Sequence, residues 1–389
     1  MMNFINAMFS GIMSLSAISA VKMVAMWAIG GLLIYLAIKK DMEPSLLLPM
    51  GFGAILVNLP LSGAIDQIYE GVTESGALSE LFRAGIANEL FPLLLFIGIG
   101  AMIDFGPLLS NPKLLLFGAA AQFGIFFTLS LTCGINAIFP GLFSMQDAAS
   151  IAVIGAADGP TAIFLANYYG TKYLGAILVA AYSYMALVPI IQPPVIRAIT
   201  TKEERKIRMP YEAKQISKTV RILFPIIVTI IAGLIAPRSV ALVGFLMFGN
   251  LLRECGVLNS LSETAQNVLA NLITIFLGIT VATKMQADEF LTWGTLLIMV
   301  LGLFAFIFDT VGGVMFAKLL NLFTKGNKIN PMIGACGISA FPMSSRVIHK
   351  MGLKEDPQNF LLMHAAGVNV GGQIASVIAG GLILNLIAR

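Results

Sequence analysis

Long continuous apolar runs, separated by short polar clusters, set the pattern of this chain. Leu114–Pro140 and Leu174–Ile199 approach or exceed the roughly 20 apolar residues that a helix needs to cross a bilayer core of about 30 Å. Such segments recur about ten times, some too short or too broken to cross as one straight helix. Their apolar positions do not alternate with polar ones, which excludes an outer-membrane barrel with strands of about ten residues. The pattern therefore predicts an all-α polytopic membrane protein with broken helices. Near the start, Met8–Ala20 is moderately apolar and contains Ser-Ala-Ile-Ser-Ala, similar to a signal-peptide cleavage sequence, but no basic stretch precedes it. It reads as an interfacial or first membrane helix.

One extended polar stretch interrupts the pattern. Thr200–Arg221 carries seven Lys or Arg against three Glu, and the positive-inside rule makes it a cytoplasmic loop. It separates two halves with related landmarks. Phe96-Ile-Gly-Ile-Gly resembles Phe276-Leu-Gly-Ile-Thr at an offset of 180 residues, and Ile154-Gly-Ala-Ala resembles Ile333-Gly-Ala-Cys at 179. Gln192, before Pro-Pro-Val-Ile, falls opposite Gln373, before Ile-Ala-Ser-Val, at 181. One register through three landmarks predicts an internal repeat: a first membrane repeat over residues 1–199, a basic cytoplasmic linker over 200–221 and a second repeat over 222–389. An odd number of crossings per half would invert the two in the membrane.

Composition agrees with this class and removes others. Of 389 residues, 58% are hydrophobic and 11% charged, and the mean hydropathy of +0.89 lies far above that of a soluble domain. Cys133, Cys255 and Cys336 are scattered, and His349 and His364 form no ligand pattern with them, which argues against a disulfide framework or a zinc site. The net charge of +4 is not gathered into a basic, aromatic-interleaved patch, so no nucleic-acid partner is expected.

Chemistry is then sought where charge meets a helix break. Ile151–Phe164 places Asp158 directly before Gly159-Pro160 in otherwise apolar sequence. Pro160 lacks an N–H and disfavours helix at Gly159, so the backbone is expected to unwind and expose carbonyls beside a carboxylate. That is hard-oxygen chemistry, suited to sodium or to a proton on Asp158. A proline kink with an interfacial Asp is the plainer alternative. A matching break is expected in Asn330–Arg346, where Gly334, Gly337, Ser339 and Pro342 interrupt the helix. Arg346 either snorkels at a helix end or brings a cation to the site. Asn369 and Ser376 are seven residues apart, two turns along one helix face, and could ligand one ion or neighbouring ions, or bond between helices. Tyr182 and Tyr184 carry transferable protons; for Tyr182 an aromatic interface belt is the preferred reading. Asp309 is a further candidate, as a proton relay or a bond across helices.

Gly-Ala-Ala-Asp-Gly-Pro-Thr-Ala-Ile, the Tyr-Ser-Tyr after it and Ile-Ser-Ala-Phe-Pro-Met-Ser-Ser-Arg resemble the β subunit of sodium-pumping, biotin-dependent decarboxylases. Leu-Ile-Tyr-Leu-Ala-Ile-Lys-Lys-Asp-Met-Glu-Pro and Asn-Val-Gly-Gly-Gln-Ile-Ala-Ser extend the resemblance over the whole chain, with Gly-Ala-Ala-Asp standing where many relatives have Gly-Gly-Ala-Asp. The resemblance implies two inverted repeats with re-entrant hairpins in a bacterial cytoplasmic (inner) membrane. It implies a membrane subunit that decarboxylates carboxybiotin delivered on a partner biotin carrier protein, coupling this to Na+ export with proton uptake. By motif, Asp158 would be the central ion and proton carboxylate and Tyr184 its proton-handling neighbour. Asn369, Ser376, Asn330, Gly334 and Ser339 would contribute to the sodium site, and Arg346 would face the carboxybiotin or the proton path. Implied partners are a carboxyltransferase subunit, which would choose the acyl substrate, a small γ or δ membrane subunit, two further copies in a homotrimer, and membrane lipid. A stand-alone sodium-coupled secondary transporter or Na+/H+ antiporter is the competing reading, since broken inverted repeats serve those as well.

Overall fold

In a computed structural model the structure describes residues 11, 15–69, 72–210, 215–324, 326 and 328–387. Within Met8–Ala20, residues 8–10 and 12–14 lie outside them; from Ala17 the chain is helical. That helix, α1 (Ala17–Lys40), starts where the Ser16 side chain accepts the Ser19 N–H, and it stops at Asp41 in the left-handed region. Lys39 and Lys40 close its last turn, where cations suit the helix dipole.

The expected helical membrane architecture is present. Among the described residues seven helices are long and apolar enough to cross a membrane, and a pair bent by 63°, Ala77–Ile86 followed by α3 (Leu90–Met102), makes up to eight. Shorter α2 (Pro44–Val57) packs closely on α1, where the α-carbons of Gly30 and Gly51 each face the other's carbonyl. The single sheet among the described residues is the hairpin β1 (Gln67–Tyr69) and β2 (Val72–Glu74). The remaining elements used here are α4 (Leu115–Ala121) and α5 (Phe123–Ile138), interrupted at Gln122, then α6 (Met145–Ala152), α7 (Gly159–Tyr169) and α8 (Leu174–Ile199). After the linker come α9 (Lys218–Ile235), α10 (Val240–Glu254), α11 (Ala270–Val281), α12 (Trp293–Phe323), α13 (Met343–Glu355) and α14 (Leu362–Leu386).

Polar contacts identify the two ends of the bundle. At the linker end, Lys318 Nζ donates to Ile199 O at 3.0 Å and pairs with Glu204, and Arg253 reaches Met102 O at 2.8 Å. At the far end, Tyr169 Oη donates to Ile387 O at 3.1 Å, and Asn58 bonds Met285 O at 2.8 Å. The linker is no free loop at its start. Arg205 forms a buried ion pair with Glu355 at 2.8 Å and donates to Thr200 O at 2.6 Å. Arg208 pairs with Asp356, and its hydrogen bond holds that carboxyl below the usual carboxylate range.

Two helical hairpins enter the bundle from opposite ends. The first, α6 and α7 joined by the tight turn Val153–Ala156, is closed at its far-end base by a hydrogen bond from Thr171 to Asp147. The second runs through the 3-10 segment Pro331–Gly337 into α13, and Arg205 with Asn330 holds its base at the linker end. Their tips meet: Ser339 N–H donates to Ala156 O at 2.8 Å. In a low-dielectric interior an unmade backbone hydrogen bond is costly, so each broken tip satisfies the other.

Candidate functional site

Asp158 sits at the junction of the tips and is 3% exposed. Ala157 before it adopts φ 51, the left-handed turn that ends the 3-10 segment, and Asp158 then serves as N-cap of α7. Thr161 donates to its carboxylate from both the hydroxyl, at 2.7 Å, and the backbone N–H, at 3.4 Å. Pro160 at the second position of α7 loses nothing, because an N–H there would have no helical partner. The break expected from Asp-Gly-Pro is therefore an orderly helix start inside the bundle.

Hydroxyls gather on the same carboxylate. Ser376 Oγ on α14 lies 2.9 Å from Asp158 Oδ2, and Ser339 Oγ at the second tip lies 3.5 Å from it. The two serine oxygens are 2.5 Å apart. Gln373, one turn before Ser376, donates to Ser339 O, and Asn369 donates to Ile338 O at 2.7 Å and Cys336 O at 3.2 Å. Both amides thus hold the second tip with their nitrogens, and Asn369 Oδ1 and Gln373 Oε1 are left buried without a partner. Among the described residues no Lys or Arg pairs with Asp158, and no group of three His, Cys, Asp or Glu gathers to hold a metal.

The expected site residues divide into two sets. Asp158, Ser339, Ser376 and Asn369 converge. Asn330 makes other bonds: its Nδ2 donates to Arg205 O at 2.8 Å and Ile207 O at 2.9 Å, tying the hairpin base to the linker, while its Oδ1 caps the Met332 N–H. Gly334 packs on Gly313 of α12 so closely that a Cβ would lie 2.0 Å from the Gly313 carbonyl oxygen. Arg346 is exposed in the first turn of α13, nine residues or about two and a half turns before the Glu355 clasp at the linker end. Its charge acts on Glu43 before α2, whose carboxyl burial pushes up and Arg346 pulls down.

Both tyrosines are buried. Tyr184 Oη donates to Met299 O on α12 and so ties α8 to that helix. Tyr182, expected in an interface belt, is instead 1% exposed, because its ring lies against the α-carbon of Gly159, the residue after Asp158. Its Oη is buried without a partner. The signal was present but unphased: residues two apart on a helix point to nearly opposite sides, and one sequence does not say which side faces the tip.

The Asp158 carboxylate and the two serine hydroxyls form a hard-oxygen cluster of the kind that suits a small cation such as sodium, and two unpartnered amide oxygens lie on the same helix as Ser376. With no cationic side chain to compensate it, Asp158 in the apolar interior needs either a cation or a proton.

Comparison with known proteins agrees with this chemistry. The chain is 49% identical to the methylmalonyl-CoA decarboxylase subunit beta of Propionigenium modestum over 93% of its length and 94% of that protein's. It is 48% identical to the subunit of the same name from Veillonella parvula, covering 93% of this chain and 92% of that one. It is 44% identical to the oxaloacetate decarboxylase beta chain of Klebsiella pneumoniae, with 99% of each chain covered. The family described as Na+-transporting oxaloacetate decarboxylase beta subunit matches residues 22–387. The chain belongs to that family, and is the multi-pass membrane subunit of a sodium-pumping decarboxylase complex.

Proposed function

We propose that this subunit decarboxylates carboxybiotin presented on a partner biotin carrier, and that Asp158 couples this to Na+ export by holding sodium and a proton in turn. The observation that carries the reading is a buried carboxylate without a counter-charge, surrounded by oxygens at the meeting of two hairpin tips. Sodium is cargo. Asp158, Ser339, Ser376 and Asn369 would hold it, with the Gln373 amide oxygen beside them. When sodium leaves, Asp158 takes a proton and can pass it toward the ureido nitrogen that loses its carboxyl group. Tyr182, whose ring lies against Gly159, would relay that proton; Tyr184, given the proton-handling role by resemblance, would act by fixing α8 against α12. Asn330 and Gly334 would serve the sodium site by holding the second hairpin to the linker and to α12. Arg346, exposed toward the linker end, would attract the carboxylate of the carrier-bound group, whose labile carboxyl supplies the driving chemistry.

The two halves would be inverted repeats over residues 1–199 and 222–389, joined by the cytoplasmic basic linker 200–221. Hairpins with bases at opposite ends support this, as does the pairing of Asp158 with Ser339, 181 residues apart in the same register as Gln192 and Gln373. The bacterial inner membrane, a carboxyltransferase, a small γ or δ subunit and a homotrimer complete the proposed assembly.

The test uses the complex in sealed vesicles, supplied with oxaloacetate or methylmalonyl-CoA. Decarboxylation should require Na+, drive its uptake and consume protons, and the subunit alone should exchange nothing. Na+/H+ exchange by the isolated subunit along a pH gradient would instead make it a stand-alone antiporter.

A further inference from the structure

A second buried carboxylate lies outside the cluster. Asp309, 1% exposed in the middle of α12, points at the place where Gln122 interrupts α4 and α5. Its Oδ1 accepts the Ile125 N–H at 3.2 Å and also bonds the Gly124 N–H. The Ile125 N–H near the start of α5 is shared between Gln122 O at 3.1 Å and Asp309 Oδ1, so across 184 residues Asp309 supplements the local cap. Its other oxygen, Oδ2, has no hydrogen-bond partner and lies against Gly155 in the first hairpin turn, where a Cβ would come within 2.7 Å of it. Gly124 fits equally closely, with a Cβ position 2.4 Å from Asp309 Oδ1. One side chain therefore touches α5, α12 and the turn three residues before Asp158.

We infer that Asp309 is a positioning residue for the sodium site: it latches the first hairpin tip and the α4–α5 break to α12, and so sets where Asp158 meets Ser339 and Ser376. This rests on the reading of Asp158 as the sodium carboxylate. The latch works on the α5 side by hydrogen-bond acceptance and on the hairpin side by the close fit of Oδ2 against Gly155. A misplacement of about 1 Å at a reacting centre can cost on the order of 10²-fold in rate, so a loosened tip should weaken sodium activation.

The experiment measures the Na+ concentration that half-activates decarboxylation by the intact complex, with assembly followed by size-exclusion elution. Asp309→Ala should raise that concentration by about tenfold or more. Asp309→Asn should restore it to within about threefold of the parent, since the amide oxygen still accepts both α5 N–H groups. Asp309→Ala within about twofold of the parent would overturn the proposal. So would Asp309→Asn as impaired as Asp309→Ala, which would show that the charge matters rather than the latch, and so would failure of both variants to assemble. Asp158→Asn is measured alongside. If it abolishes sodium-dependent turnover while Asp309→Ala keeps the half-activating concentration within about twofold of the parent, only the latch fails; if Asp158→Asn keeps sodium-dependent turnover, the sodium reading itself fails.

Discussion

Asp158→Asn should abolish sodium-coupled decarboxylation, with a fall of about 10²–10⁴-fold, while leaving the complex assembled. The two halves of this expectation have separate causes. Asn is as good an N-cap as Asp, so the Thr161 N–H bond that starts α7 persists, the Thr161 hydroxyl turns to accept from the amide nitrogen, and the hairpin keeps its shape. What disappears is the charge that balances sodium and the site that takes its proton, and among the described residues no other carboxylate bonds Ser339 or Ser376. Turnover assays at saturating Na+, with thermal midpoint and elution volume as controls, separate these effects. Wild-type turnover in the variant would refute the assignment of Asp158.

The second large effect is expected at a residue with no functional group. Gly159→Ala would place a methyl 2.2 Å from the Tyr182 ring and 2.8 Å from its Oη. That ring is fully buried and cannot swing aside, so the α7 start must shift, at a cost of about 1–3 kcal/mol. Because Gly159 is bonded to Asp158, the shift moves the carboxylate, and turnover should fall by about 10²-fold. Gly134→Ala on α5 is the control: nothing lies within 4 Å of its Cβ position, and it should change neither turnover nor stability. Equal behaviour of the two variants would show that the Tyr182 contact has no bearing on the site.

Much of the architecture was legible because its causes are local. Continuous apolar runs specify helices in lipid, and Asp-Gly-Pro specifies a helix start wherever it falls. The shared register of Gln192 and Gln373 also has a counterpart: both amides donate to backbone carbonyls of the second hairpin, Gln192 to Ala335 O at 2.8 Å and Gln373 to Ser339 O. Other features depend on contacts between distant segments and leave no local trace. Asn330 is given to the sodium site by resemblance alone, and its bond to the linker, 125 residues earlier in the chain, has no local signal. Asp309 reads only as a carboxylate in apolar sequence until the α5 N–H groups appear opposite it. Tyr182 and Tyr184 differ in nothing but helical phase, which packing decides.

The central claim is that one carboxyl group holds a proton without sodium and loses it to sodium. Infrared difference spectroscopy of the complex in membranes, recorded with and without Na+, tests it directly. The account predicts that adding Na+ removes a protonated-carboxyl band, and that Asp158→Asn shows no such change. A wild-type complex without the band, or the same band in Asp158→Asn, would contradict it.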